Sequence, residues 1–186
     1  MLLRELAGVP ESWQQRALAA CLGGAGGAVA SYLTAAALAR LCLPPPVPHI
    51  TVASGRSVSN SLAVVHRTRR VPVETVLQGV PCTDVGRTLV DCASILGPVR
   101  LQHLVDEAFH QRLVTVREVE WTLDATRRAP GRAGEVRLRD ALHLVGEITT
   151  RRRRRKGAAI ASIKLDRLLH DVAKLLEVLH ELVSQG

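Results

Sequence analysis

The sequence predicts an α+β fold: a small, mostly antiparallel sheet with helices before it, a helical block after it, and a leucine-rich terminal helix. Two β-branched runs, His49–Ala53 and Leu62–His66, sit close together in the first half of the chain and suit a pleated, half-buried surface. Apolar spacing of helical period precedes these runs and takes over again from Thr83, so strand and helix patterns are segregated rather than alternating. No period of 20–50 residues recurs, which argues against a solenoid.

The first helix is expected over Trp13–Leu22, capped by Ser12 and stopped by Gly23 and Gly24. Ser31 is placed to cap a second helix through Leu41, closed by Pro44, Pro45 and Pro46. The two strand runs flank the turn-rich SGRSVSNS segment and read as a hairpin or as neighbouring strands, with a third extended piece at Val73–Leu77. Val80-Pro81 holds an extended approach to the next helix. There Thr83 takes the N-cap position, and Asp84 lies in the first turn, where a carboxylate favours the exposed amides. Helices follow at Thr83–Leu96, Pro98–Leu113 (proline at the first helical position), Val116–Arg127 and Glu135–Val145. Within the first of these, Arg87 and Asp91 are one turn apart and can pair along one side.

The C-terminal part differs in character. Thr149–Lys156 is a charged joint. Beyond it Leu165, Leu169, Val172, Leu176, Leu179 and Val183 keep a four–three spacing, widened by Leu168, Leu175 and Leu182. Such a stripe fits a helix folded back on the parent core or self-association between copies; a shifted reading frame is a third source of it. The chain accordingly divides into an N-terminal remnant (1–10), a core domain (11–147), a basic linker (148–160) and an amphipathic helix (161–186).

Composition narrows the function classes. A chain of 186 residues with 47% hydrophobic content can bury one core. With only 2% aromatics, Leu, Val and Ala must fill it. No run of eighteen apolar residues suggests a membrane span, and MLLRELAG lacks the apolar stretch of a secretory signal. Cys21, Cys42, Cys82 and Cys92 form no C-x-x-C pair and lie in apolar or helical runs. They read as reduced core thiols of a cytoplasmic protein. The formal charge of +8 suggests a polyanionic partner, but residues 1–150 contribute only +3 and residues 151–186 contribute +5. Most of the excess is Arg151, Arg152, Arg153, Arg154, Arg155 and Lys156. Neutralising several phosphates with this run would give salt-dependent, sequence-independent binding; the alternative is a solvated linker. Arg56, Arg67, Arg69 and Arg70 around the strand runs could likewise contact phosphates, or protect a sheet edge by charge.

No constellation in the sequence argues for catalysis, a metal or a cofactor. His103, Glu107 and His110 share a helix face, but Leu101, Leu104, Val105, Ala108 and Phe109 occupy the opposite side, so the histidine face reads as solvated. Gly23, Gly24, Gly26 and Gly27 follow a helix rather than a strand, and no G-x-x-x-x-G-K-[ST] is present. The set G-x-S-x-G, H-E-x-x-H and the kinase motifs is also absent.

Gly79–Ala93, GVPCTDVGRTLVDCA, and Leu104–Thr115, LVDEAFHQRLVT, carry a different kind of signal. They resemble the G-[IV]-P-x-T-x-x-x-R-T-L-x-D-x-A and L-D-E-A-x-x-x-x-L-V-T segments of AbiEi-type antitoxins of type IV toxin–antitoxin systems. Glu11–Leu18, Gly27–Ser31 and Thr34–Leu38 look like that family's opening helices. His49–Val52, Gly55-Arg56 and Leu62–Arg67 are similar to its strand pair. Tyr32 stands where relatives usually carry a histidine, and Ala39-Arg40 replaces an aromatic–glycine pair. The matched positions are Ser31, Thr34, Arg87, Thr88, Asp91, Asp106 and Glu107, which the resemblance casts as caps and buried pairs or as partner contacts. It implies a non-enzymatic antitoxin-like or regulator-like protein opposing a nucleotidyltransferase-type toxin. It also implies that the winged-helix DNA reader and the very-short-patch-repair-like endonuclease domain of relatives are missing. The alternative is a nucleic-acid-binding accessory protein acting through the basic tail and the strand arginines.

Overall fold

In the computed structural model the described residues are 11–24, 27–55, 61–69, 74–126, 131, 133–147, 164–165 and 167–168. The chain separates into two compact units, Met1–Val145 and Gly146–Gly186. The first is an α+β domain. Helix α1 (Trp13–Gly23) leads into strand β1 (Val29–Ala30), helix α2 (Tyr32–Leu38) and strands β2 (His49–Ala53), β3 (Val64–Thr68), β4 (Glu74–Leu77) and β5 (Val80–Thr83). Helices α3 (Val85–Ile95), α4 (Pro98–His110) and α5 (Val116–Ala125) follow, and residues 133–147 form a further helix, α6.

Local chemistry explains the helix starts. Ser12 and Gln15 form a capping box on α1: the Gln15 amide donates to Ser12 Oγ at 3.2 Å and the Ser12 amide donates to Gln15 Oε1 at 2.7 Å. Thr115 and Glu118 repeat the arrangement on α5. Pro98 occupies the first turn of α4, where its missing N–H costs nothing. The cap of α3 lies one residue later than expected. Asp84 is the N-cap, its Oδ1 accepting from the Arg87 amide at 2.9 Å, because pairing with β4 keeps Thr83 in the β5 ladder. Helix α2 ends at Leu38 rather than Leu41, since Arg40 turns to φ +61° and the Leu41 amide returns to the Ala36 carbonyl at 2.8 Å. Arg112, at φ +58°, likewise turns the chain just beyond α4, before Leu113.

The sheet has strand order β3-β2-β1-β5-β4. It corrects the expectation of a mostly antiparallel sheet: β1–β2 and β4–β5 are antiparallel, but β1–β5 and β2–β3 are parallel. Strands β2 and β3 are neighbours, as one of the two expectations had it, yet not a hairpin. The connection over residues 54–63 returns the chain to the start of β2, so that His49 pairs with Val64 and Ile50 with Val65. Period-two patterning states which residues share a face; it does not encode strand direction. Strand β1 was also not expected, its residues falling in a segment that the resemblance grouped with helices.

Two clusters of buried side chains meet across α2. Ala17, Ala20 and Cys21 of α1 pack with Ile50, Val52, Val80 and Cys82 of the sheet and with Ala35 and Leu38 of α2. Leu89, Val90 and Ala93 of α3 pack with Leu101, Leu104, Val105, Val119, Leu123 and Leu138 of the later helices and with Ala36 of α2. Arg137 of α6 donates through one terminal amine nitrogen to the Ala93 carbonyl at 2.9 Å, which ties α6 to α3. The first cluster has no room to spare beneath α1. A methyl group added at Gly24 would collide with Ala28 Cβ and approach the Cys21 carbonyl to 3.2 Å. Gly24→Ala is expected to destabilise the domain by about 1–3 kcal/mol through overpacking, measured as a lower urea midpoint at unchanged slope.

Among the described residues no helix is long and apolar enough to cross a membrane. Lys164, Leu165, Arg167 and Leu168 are helical and exposed. The rest of the expected stripe (Leu169, Val172, Leu176, Leu179 and Val183) and the basic run Arg151–Lys156 lie outside the described residues.

Candidate functional site

Buried polar groups gather around the start of α2 and along α3. Along β2, Ile50 and Val52 enter the α1 cluster, so Thr51 between them faces the other way. Its hydroxyl donates to Ser31 Oγ at 2.8 Å, and both residues are buried. This contact explains why Ser31 sits at the N-cap of α2 but makes no side-chain cap bond. Thr34, one turn into α2, accepts from the His49 amide at 2.7 Å. Thr83 and Thr88 share a hydrogen bond at 2.8 Å, and Thr88 also donates to the Asp84 carbonyl at 2.8 Å.

On α3, Arg87 Nε donates to Asp91 Oδ1 at 2.8 Å within a buried i,i+4 pair. Asp91 is 2% exposed, and its Oδ2 has no hydrogen-bond partner among the described residues. Burial pushes its carboxyl up to about 6 against the pull of Arg87, because removing a charge from water disfavours the ionised form. Tyr32 stands beside this pair. Its phenol is raised by burial first and by the Asp91 charge second, while the Ser94 hydroxyl and Arg87 work the other way.

The ring of Tyr32 stacks on His66 of β3, with centroids 3.6 Å apart and planes inclined by 20°. His66 Nε2 lies 3.0 Å from His49 Nδ1 on the neighbouring strand. Burial lowers both imidazoles; for His66, His49 adds to the effect and brings it to about 4. Tyr32 itself is held at φ +52°, an unusual conformation for a bulky side chain.

Five of the seven matched positions are buried: Ser31 and Thr34 at the start of α2, and Arg87, Thr88 and Asp91 on α3. Asp106 and Glu107 are not among them. They stand on α4, accepting from Gln102 Nε2 at 2.8 Å and from Gln111 Nε2 at 2.6 Å, partners on their own helix or its cap. Arg67 and Arg69 are exposed at and beyond the end of the edge strand β3, whereas Arg56 and Arg70 lie outside the described residues. His103 and His110 are exposed on α4, and no group of three metal-ligating side chains occurs among the described residues.

Sequence reasoning passed over Tyr32, His49 and His66. Only the parallel register, with Thr51 opposite His66, brings the two histidines together. Burial raises all four thiols, pushing Cys21 up to about 12 and Cys82 up to about 11, holding Cys92 well above its usual range and raising Cys42 as well, which disfavours the thiolate. Ser94 donates to the Asp91 carbonyl at 2.6 Å, a local backbone bond and not an activating one. Chemically, the region holds hydrogen-bonded hydroxyls, one buried ion pair and a titratable ring cluster on β2 and β3. A scan against known protein families finds no matching family, and no curated protein matches the chain significantly.

Proposed function

We propose that the chain is a non-enzymatic, antitoxin-like regulatory protein of a type IV toxin–antitoxin system, working in the cytoplasm through its helical block. The observation that carries this reading is Trp121 on α5, 69% exposed in a chain with only four aromatic residues. Trp121 lies outside both clusters of buried side chains, and tryptophan is enriched among the residues that dominate protein–protein binding. The resemblance of Gly79–Ala93 and Leu104–Thr115 to AbiEi-type antitoxins supplies the partner class, a nucleotidyltransferase-type toxin. The inward-turned Ser31, Thr34, Arg87, Thr88 and Asp91 support a packing role for the matched motif, which leaves the outer helix faces for contact.

The test is growth rescue. A neighbouring nucleotidyltransferase-like gene is expressed under tight control, with and without this chain. Rescue is expected, and it should survive deletion of Arg151–Lys156. Trp121→Ala should weaken toxin binding by roughly 30-fold or more while leaving the thermal transition unchanged. Absence of rescue by folded protein would refute the reading for that pair.

A second reading, non-specific nucleic-acid binding, is favoured by the exposed Arg67 on the edge strand β3 and Arg69 just beyond it. It requires affinity for duplex DNA that falls steeply with salt and that disappears on deleting Arg151–Lys156 together with Arg67→Ala and Arg69→Ala.

A further inference from the structure

We propose that His49 and His66, with Tyr32, form a proton-operated clasp that fastens the edge strand β3 to the sheet and opens when both imidazoles are charged.

The geometry distinguishes a shared proton from a shared metal. The ring centroids are 5.2 Å apart, close to the 3.0 Å gap between Nδ1 and Nε2 plus the two ring radii. The two nitrogens therefore lie nearly on the line between the rings, and their lone pairs point at each other. Two ligands of one tetrahedral or octahedral ion would instead converge at an angle. A head-on pair at this distance suits one N–H donor and one acceptor.

Counting protons gives the switch. With both rings neutral, one N–H bridges the gap. Adding one proton leaves a bridge, now from an imidazolium to a neutral ring, and Tyr32 on the face of His66 tolerates the charge. Adding the second places two N–H groups opposite each other 3.0 Å apart with no acceptor between them, and the rings must part. The two steps belong to the pair rather than to either residue.

Strand β3 is an edge strand, held along one side by its five-residue ladder with β2 and flanking backbone bonds at Val64 and Thr68, and among its described residues Val65 packs against the α1 cluster. Among the described residues, the ring contacts at the clasp are Tyr32 from α2 and the two histidines from β2 and β3. Asp91 and Arg87 of α3 act on the Tyr32 phenol, while the imidazoles respond to burial and to each other.

The pH dependence has opposite signs at the clasp and at Asp91. The histidines titrate lower in the fold than in the unfolded chain, so their contribution is complete above about 6.5 and is lost as pH falls through the folded values. Asp91 titrates higher in the fold, so its contribution is complete below 3.8 and is lost as pH rises through about 6. Acid therefore loosens β3 while relieving strain on α3, and the result is local opening rather than global unfolding. Opening uncovers the backbone edge of β2, which can accept another strand.

The experiment is amide hydrogen exchange on the full chain at pH 7 and pH 4, corrected for intrinsic rates. Protection over β2 and β3 is expected to fall by roughly tenfold or more relative to α3 at the lower pH. His66→Phe keeps a ring on Tyr32 but cannot titrate, and it should remove the facing N–H pair and so reduce the acid response of β3 severalfold, leaving only the contribution of His49. Equal acid response of β3 and α3 in the wild type would overturn the proposal, as would unchanged acid response in His66→Phe. Should that variant not fold, imidazole NMR titration of the wild type decides. Two coupled steps below the ordinary histidine range support the clasp, and two independent ordinary titrations refute it.

Discussion

Arg87→Ala should destabilise the domain by about 3–5 kcal/mol, among the largest single effects in the molecule. The substitution leaves Asp91 buried without the side-chain partner of Oδ1, Oδ2 having none among the described residues, so the carboxylate must stay charged unpaired or take up a proton. The penalty is a desolvation penalty, so it should depend on pH. Asp91 sits at about 6 with Arg87 present and must move further up without it. A folded value raised above the unfolded one favours the fold at low pH, where the carboxyl is neutral in both states. The deficit of Arg87→Ala relative to wild type should therefore shrink as pH falls from 7 towards 4. Taking the difference between the two proteins cancels the histidine contribution common to both. Urea titrations at several pH values would measure it, and a deficit that grew in acid would contradict the assignment. Replacing both partners, as in Arg87→Met with Asp91→Leu, should be far milder than Arg87→Ala alone, because no charge is then left buried.

Leu138→Ala is the second large effect, expected at 2–5 kcal/mol. Leu138 is fully buried on α6, where it meets the cluster built from α3, α4 and α5. The Arg137 bond to the Ala93 carbonyl and the exposed Arg139–Asp124 bridge at 3.2 Å also tie α6 to its neighbours. An exposed bridge of this kind contributes little in water, so the apolar contact should dominate. Asp124→Ala is the internal comparison and should cost well under 1 kcal/mol. A single cooperative transition, shifted in Leu138→Ala, would place α6 within the same folding unit as the sheet. Loss of α6 signals before the main transition would contradict that.

The helical part of this fold was legible because its signals are local. Ser12 with Gln15, Thr115 with Glu118 and Pro98 mark helix starts within one turn of the residues they serve. Arg87 and Asp91 could be paired from spacing alone, since four residues on a helix always share a side. What spacing did not reveal was their burial or the orphaned Oδ2. Those depend on how closely the sheet and α2 approach α3. Thr83 was assigned the cap for a related reason. A threonine before a helical run is a sound local signal, but strand pairing kept it in β5 and passed the cap to Asp84.

The sequence by itself determined the α+β class, most helix starts, the approximate positions of the longer strands and the one-turn pairing of Arg87 with Asp91 on α3. The tertiary structure alone decided strand direction, the parallel β2–β3 register and the resulting meeting of His49, His66 and Tyr32. The physical reason lies in range. A helix closes its bonds within four residues and writes its pattern into adjacent positions. A sheet closes its bonds across loops, and a period of two is the same read forwards or backwards.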